Sequence, residues 1–274
     1  MNALRTLRHK TKYRGQWQLT SDHLRSQGCY EWMAEQLNDL RPRNILDIGC
    51  GSGNGLLALI ARFAPSTLIS LEENIDCIDA TVEALVEAGE CPLAYPRLSY
   101  NLDAATITYD LDCSDAPVQL KPGISIVQTD VGCTDPPLSE ALEGECPFDA
   151  ITVWLIGTDA LYLRTVGSTP SDYRRQIQHR IYELADRWLR PGGWIQFVDR
   201  GPFPLTSEQQ GGLVQDHEAL LESTRLKFLK FSERPYEEAG EGGIPLAIAS
   251  GQIGGTARGL MSIISWLPDV AAEQ

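Results

Sequence analysis

No Cys-x-x-Cys pair occurs in this chain of 274 residues, and none of its four histidines stands at zinc-ligand spacing. The seven cysteines, Cys29, Cys50, Cys77, Cys91, Cys113, Cys133 and Cys146, are an odd number. Their pattern argues against a disulfide framework and a structural zinc site, so a reducing cytoplasm is the expected location and no metal is expected. Long hydrophobic runs are missing as well: Leu56 to Ile60 is among the longest, far short of the roughly 20 apolar residues that span a bilayer. The N-terminus carries positive charge with no apolar segment behind it, unlike a secretion signal, so no membrane partner is expected. Positive charge is scarce beyond that point. Residues 1 to 20 hold Arg5, Arg8, Lys10, Lys12 and Arg14 and no acid, whereas the remainder sets 18 basic residues against 37 acidic ones, so that a net charge of -14 hides a body near -19. Such a body repels phosphate backbones, which argues against a nucleic-acid partner. The basic arm itself reads as a solvated terminus or a local contact for an anion.

What is present describes a globular chain, 43% hydrophobic and 22% charged, with room for one large α/β domain. Apolar periodicity predicts a helix from Ser21 to Leu40 after the arm, then a strand from Asn44 to Ile48. Helix and strand signals alternate from there: helix Leu56 to Phe63, strand Thr67 to Leu71, helix Ile75 to Ala88, strand Ile124 to Gln128 and strand Ala150 to Leu155. Thr169, Pro170 and Asp172 make an N-cap, N1 and N3 set for a long helix that runs up to Pro191, and Trp194 to Val198 follows as a fifth strand. A helix at Leu213 to Thr224 and strands at Leu226 to Phe231 and Leu260 to Trp266 close the chain. Alternation of this kind predicts a parallel sheet with helices on both faces.

Residues 89 to 123 are too long for a simple connection, for which about 2 to 6 residues suffice. Two strand-like runs within them, Leu98 to Leu102 and Thr106 to Tyr109, suggest an inserted hairpin. The expected organisation is therefore an arm and capping helix over residues 1–40 and one domain over residues 41–274, with the insertion at about 89–123.

Asn44 to Gly55 reads NILDIGCGSGNG. An apolar strand that runs into Gly49, Gly51, Gly53 and Gly55 brings a ligand close to the backbone at the carboxyl edge of the sheet. The spacing misses the Gly-x-Gly-x-x-Gly register of dinucleotide sites by one residue at the third glycine. Asp47, beside the loop, would repel a pyrophosphate and suits a ligand with an ammonium group, such as the methionine end of S-adenosylmethionine. Glu72, 25 residues after Asp47, stands where a carboxylate accepts from both ribose hydroxyls. Asp130 is placed to accept from an adenine amino group, with the NH of Val131 free for a ring nitrogen.

These stretches, NILDIGCGSGNG, LISLEEN, VQTDV, FDAITVWL and LRPGGWIQF, resemble the successive motifs of the class I S-adenosylmethionine-dependent methyltransferases over about residues 40 to 200. The resemblance implies a Rossmann-like, doubly wound, mostly parallel seven-stranded sheet with helices on both faces, its last strand antiparallel, here with an N-terminal helical cap and an inserted hairpin. It implies that Asp47, Gly49, Gly51 and Gly53 contact the methionine moiety, Glu72 the ribose, and Asp130 and Val131 the adenine, with Trp154 beside the methyl donor; the product would be S-adenosylhomocysteine.

No universal catalytic residue marks this family. Asp199, at the end of the fifth strand, is the candidate base, with Arg200 as an anion-binding neighbour. Among the histidines only His23 is placed near the cofactor end, while His217 is expected on an exposed face. No Asn-Pro-Pro-Tyr or Asp-Pro-Pro-Tyr follows the fourth strand, and Asp199 is followed by Arg200 where a metal-dependent catechol enzyme would place a second ligand. Tyr13, Trp17, Trp154 and Tyr162 could wall an apolar acceptor pocket. The expected function is methyl transfer to O or N of a small organic molecule; methylation of a peptide or protein, and a regulatory protein that binds the cofactor without catalysis, are the alternatives.

Overall fold

A computed structural model describes residues 3–100, 111–113, 116–132, 134–157, 169–240, 243 and 258–269. Eight strands form its main sheet: β1 (Asn44–Ile48), β2 (Thr67–Glu72), β3 (Leu93–Tyr95), β6 (Gly123–Gln128), β7 (Phe148–Trp154), β8 (Leu189–Pro202), β9 (Lys227–Tyr236) and β10 (Arg258–Trp266). Their order is β3-β6-β2-β1-β7-β8-β10-β9. All neighbours from β3 to β8 run parallel, and β10 lies antiparallel between β8 and β9. This is the expected Rossmann-like arrangement, last strand included, with one strand more than expected. The additional strand is β3, three residues of the insertion that pair parallel to β6 and are too short to show a period. The remainder of the insertion includes a two-stranded antiparallel pair, β4 (Leu98–Tyr100) with β5 (Leu111–Cys113). Thr106 to Tyr109, expected as its second arm, lies outside the described residues, as does Tyr162.

Strand residues alternate between two cores. Ile45, Leu68, Ala150 and Val198 face one layer, and Leu46, Ile69, Ile151 and Phe197 face the other, the period-two consequence of a pleated sheet buried on both sides. The first layer holds α1 (Ala3–Ser26), α2 (Cys29–Glu35), α3 (Asn54–Phe63) and α4 (Ile75–Glu87); the second holds α5 (Pro136–Glu145), α6 (Pro170–Trp188) and α7 (Ser207–Leu221). Thr169 caps α6 as expected, accepting from the Asp172 amide. Helix α7 starts earlier than its apolar pattern suggests, because Thr206 and Gln209 form a capping box ahead of the first apolar residue. Helix α5 is not among the expected elements, although Asp135 before Pro136 is a cap-and-N1 signature.

The largest difference lies at the N-terminus. A solvated arm was one expectation for residues 1–20, with a helix only from Ser21; α1 instead begins at Ala3 and runs to Ser26, where Gly28 in the left-handed region separates it from α2. Its burial explains the order: Trp17 and Leu24 are in the core, and Lys10 is 5% exposed and ion-paired to Glu73.

One buried ion pair anchors the insertion. Arg97 donates from Nε and Nη2 to the two oxygens of Asp135 at 2.8 and 2.7 Å, and from Nη1 to the Ala116 carbonyl, while Asp135 also caps α5 through the Leu138 amide. Both side chains are 4% exposed, so removal of Arg97 leaves the Asp135 carboxylate buried without the cation that pairs with it. Arg97→Met should lower the unfolding free energy by about 3–5 kcal/mol in urea titrations, and Arg97→Met with Asp135→Asn should recover part of that loss because no charge is then stranded.

Candidate functional site

Parallel register decides what lies under the glycine loop. Asp47 is opposite Ser70 on β2 and Thr152 on β7, and both hydroxyls donate to it, Ser70 to Oδ2 at 2.9 Å and Thr152 to Oδ1 at 2.7 Å. With both oxygens engaged and 3% exposure, Asp47 lies beneath the loop and does not line the cleft above it. Burial raises its pKa to about 6, against the pull of the two hydroxyls.

Above it the backbone turns through Gly49, Gly51 and Gly53 at φ of 90, 56 and 83°, a region closed to most side chains. Gly53 caps α3 without any side-chain bond, and residues 53 to 56 lie off the cleft walls. The Gly51 amide donates to Glu72 Oε2 at 3.1 Å and the Asn74 amide to Oε1 at 2.9 Å. Glu72 is thus held in one orientation at the end of β2. Burial nevertheless moves its pKa up to about 7, because two neutral amides do not replace the water lost.

A cleft of about 150 Å³ opens over these groups. Gly49, Gly51, Glu72, Asp130 and Val131 all line it, so five of the sequence-derived positions meet there. Asp130 Oδ1 accepts from the Gly132 amide at 2.7 Å, which fixes the turn after β6. Gly53 and Trp154 are not on its walls; Trp154 packs under Gly55 and donates from Nε1 to Gln196 Oε1 at 3.0 Å. Leu155 takes its place at the rim. It has φ of 60°, a conformation disfavoured for a branched residue, held by a bond from its amide to the Val198 carbonyl at 2.8 Å.

Helix α1 forms the roof, as an N-terminal helical cap would, and brings in two of the expected wall residues, Tyr13 and Trp17. Lys10, Tyr13 and Trp17 line the cleft. A Cβ on Gly51 would stand 2.3 Å from Trp17 Nε1, and one on Gly157 would stand 2.1 Å from the Tyr13 hydroxyl. The glycines therefore admit an aromatic roof from the same chain. Polar contacts hold it down: Ser21 Oγ receives Ser52 Oγ at 2.7 Å and Asn54 Nδ2 at 2.9 Å, and Arg25 donates to Asn54 Oδ1 at 3.1 Å. Tyr173 and Ile177 of α6 close the opposite wall.

The catalytic candidates are placed elsewhere. Asp199 lies outside the cleft walls, paired with Arg174 at 3.1 Å, and Arg200 is paired with Glu238 at 3.6 Å. His23 is on α1 and is not on the cleft walls; its Nε2 is buried with no hydrogen-bond partner among the described residues. His217 is 4% exposed rather than on an exposed face, because α7 turns it against Tyr182, whose hydroxyl is 2.7 Å from Nδ1. No group of three metal-ligating side chains occurs among the described residues, and no described helix is long and apolar enough to cross a membrane.

No family model matches the chain, and no curated protein matches it. Similar solved structures include the N-methyltransferase NodS from Bradyrhizobium japonicum with S-adenosylhomocysteine, 13% identical, covering 86% of each chain at a TM-score of 0.44. They also include the O-methyltransferase TomG from Streptomyces achromogenes with S-adenosylmethionine (14% identity, 86% of this chain and 78% of that one, TM-score 0.42). An O-methyltransferase from Bacillus cereus with S-adenosylhomocysteine is similar at 15% identity over 86% of this chain and 80% of that one, with a TM-score of 0.41.

A raised carboxylate pKa means that the folded state holds its proton more tightly than the unfolded chain. The stability due to such a group is present below the unfolded pKa of about 4 and is lost as pH rises through the folded value, here about 6 for Asp47 and about 7 for Glu72. The melting temperature of the ligand-free protein should therefore fall between pH 5 and pH 8. Asp47→Asn should be the more stable form at pH 8 by roughly 1–3 kcal/mol, with the difference vanishing toward pH 4; calorimetry across pH would show it.

Proposed function

We propose that this chain is an S-adenosylmethionine-dependent methyltransferase that methylates O or N of a small organic molecule. The supporting observation is the charge of the cleft. Its described walls carry three carboxylates, Glu72, Glu73 and Asp130, against one ammonium, Lys10, which is already paired with Glu73. A pyrophosphate would meet uncompensated negative charge there, whereas a nucleoside with cationic groups is attracted. Gly49 and Gly51, which carry no side chains, let the amino-acid end of such a ligand approach the backbone closely.

The residues present fit that cofactor. Glu72, held by two amides, accepts from the ribose hydroxyls. Asp130 keeps Oδ2 for an exocyclic amine, and Val131 offers its amide beside it. Asp47 acts from below the loop, where its charge reaches an ammonium group through the glycine backbone. Tyr13 and Trp17 on the roof exclude water from the reacting centre, which strengthens every charge interaction inside it. When bound, the cofactor supplies a methyl group already activated on a sulfonium, so the chain's own task is alignment of the acceptor lone pair and removal of its proton. Asp199 is the proposed group for the proton.

S-Adenosylhomocysteine at about 100 times its Kd should stabilise the protein by about 2.7 kcal/mol, with NAD giving no shift. Glu72→Ala should weaken that affinity about 10- to 100-fold, as loss of charge-assisted hydrogen bonds implies, and Asp199→Asn should leave it unchanged while slowing transfer from labelled S-adenosylmethionine to a metabolite extract. A response to NAD in place of S-adenosylhomocysteine would overturn the assignment.

A further inference from the structure

A second cavity, of about 320 Å³, lies between α6, α7 and the ends of β8 and β10. Its buried lining is Phe197, Leu220, Ile263 and one polar side chain, His217, with Met261 half-buried beside them, while Gln178 and charged side chains complete the wall. The ring stands 5.7 Å from Phe197 between centroids and is fixed by the Tyr182 hydroxyl on Nδ1. Nε2 has no protein partner among the described residues and is not among the enclosed unsatisfied atoms, so it opens on the cavity.

The cavity does not stand apart from the cleft. A small void of about 20 Å³ lies between them. It shares Ile156, Gly157, Tyr173 and Ile177 with the cleft, and Phe197 and Asp199 with the cavity. Asp199, near the end of β8, lines both that void and the cavity.

We propose that the second cavity holds the methyl acceptor, a small aromatic molecule whose distal hydroxyl bonds to His217 Nε2 and whose nucleophilic end lies beside Asp199, on the side toward the cleft. This rests on the reading of the chain as a methyltransferase. The chemical class follows from the walls. Phe197, Met261 and the aliphatic side chains favour a flat apolar body, and the volume suits a molecule of one or two rings. Ionic recognition is not what the inner surface offers, since Arg174 is paired with Asp199 and Arg200 with Glu238. The other charges of the lining, Asp172 and Arg175 on α6 and Asp216 on α7, are exposed. Burial holds the His217 pKa below its ordinary value, even though Asp199 and Asp216 pull the other way. The imidazole at pH 7 is then neutral and pairs with a hydroxyl in preference to an anion.

The test uses the whole protein labelled in its four histidines, with 4-methylphenol and toluene as probes. In NMR titrations 4-methylphenol should move the His217 ring signal saturably and toluene should bind with little effect on it. His217→Gln should weaken 4-methylphenol about tenfold and leave toluene unchanged, as loss of one hydrogen bond implies. Leu213→Trp, which keeps His217 and fills the cavity, should block both probes. Binding of 4-methylphenol without a response at His217, equal affinity in all three proteins, or no binding at all overturns the proposal. Thermal response to S-adenosylhomocysteine, measured in the same samples, separates the two readings: a response with no effect at His217 overturns the acceptor site alone, and its absence overturns the methyltransferase reading and with it the acceptor role of the cavity.

Discussion

The bond from the Gly51 amide to Glu72 is the contact on which the rest of the site depends. It joins the turn after β1 to the end of β2, and so orients a carboxylate toward the space that the glycines leave open. Gly51 can donate in this direction because its φ of 56° turns the peptide in a way that most side chains resist. The same residue has no side chain on its outer surface, and there Trp17 of α1 rests. Strand, loop and roof therefore meet at one residue, which makes the backbone, and not a catalytic side chain, the organising element of the cleft.

Buried negative charge under and beside that loop carries a cost. Asp47 and Glu72 both have pKa values well above the usual carboxylate range, and in both cases burial is the largest cause. Hydroxyls and amides offset part of the lost hydration, and the Lys10 ammonium, ion-paired with Glu73, pulls the Glu72 pKa down without cancelling the rise. A fold keeps such strain where function uses it. A ligand that brings positive charge and hydroxyl donors would relieve it, and this gives a physical reason for the affinity proposed above.

Other features serve to hold this arrangement still. The Arg97 and Asp135 pair ties the insertion to the start of α5, next to the turn that carries Asp130. Gln196 satisfies Trp154, Ser262 and the Met33 carbonyl at once, so the buried polar centre of the sheet has partners on both sides. These networks lie away from the cleft and define its walls only indirectly.

The sequence by itself determined the alternation of strands and helices, the glycine loop, and the carboxylates at successive strand ends, because periodicity and turn chemistry are local and survive without long-range information. It also identified the cap of α6 at Thr169. Only the tertiary structure decided which of those residues face the cleft. Asp47 went beneath the loop because its register neighbours are Ser70 and Thr152, and Trp154 went into the core because its indole found Gln196. The basic N-terminal segment, with little apolar pattern of its own, became a helix because Trp17 and Leu24 found a surface to bury against. His217 passed from an expected exposed face to a cavity wall for the same reason: the partner that fixes it, Tyr182, is 35 residues away, and no local rule places the two together.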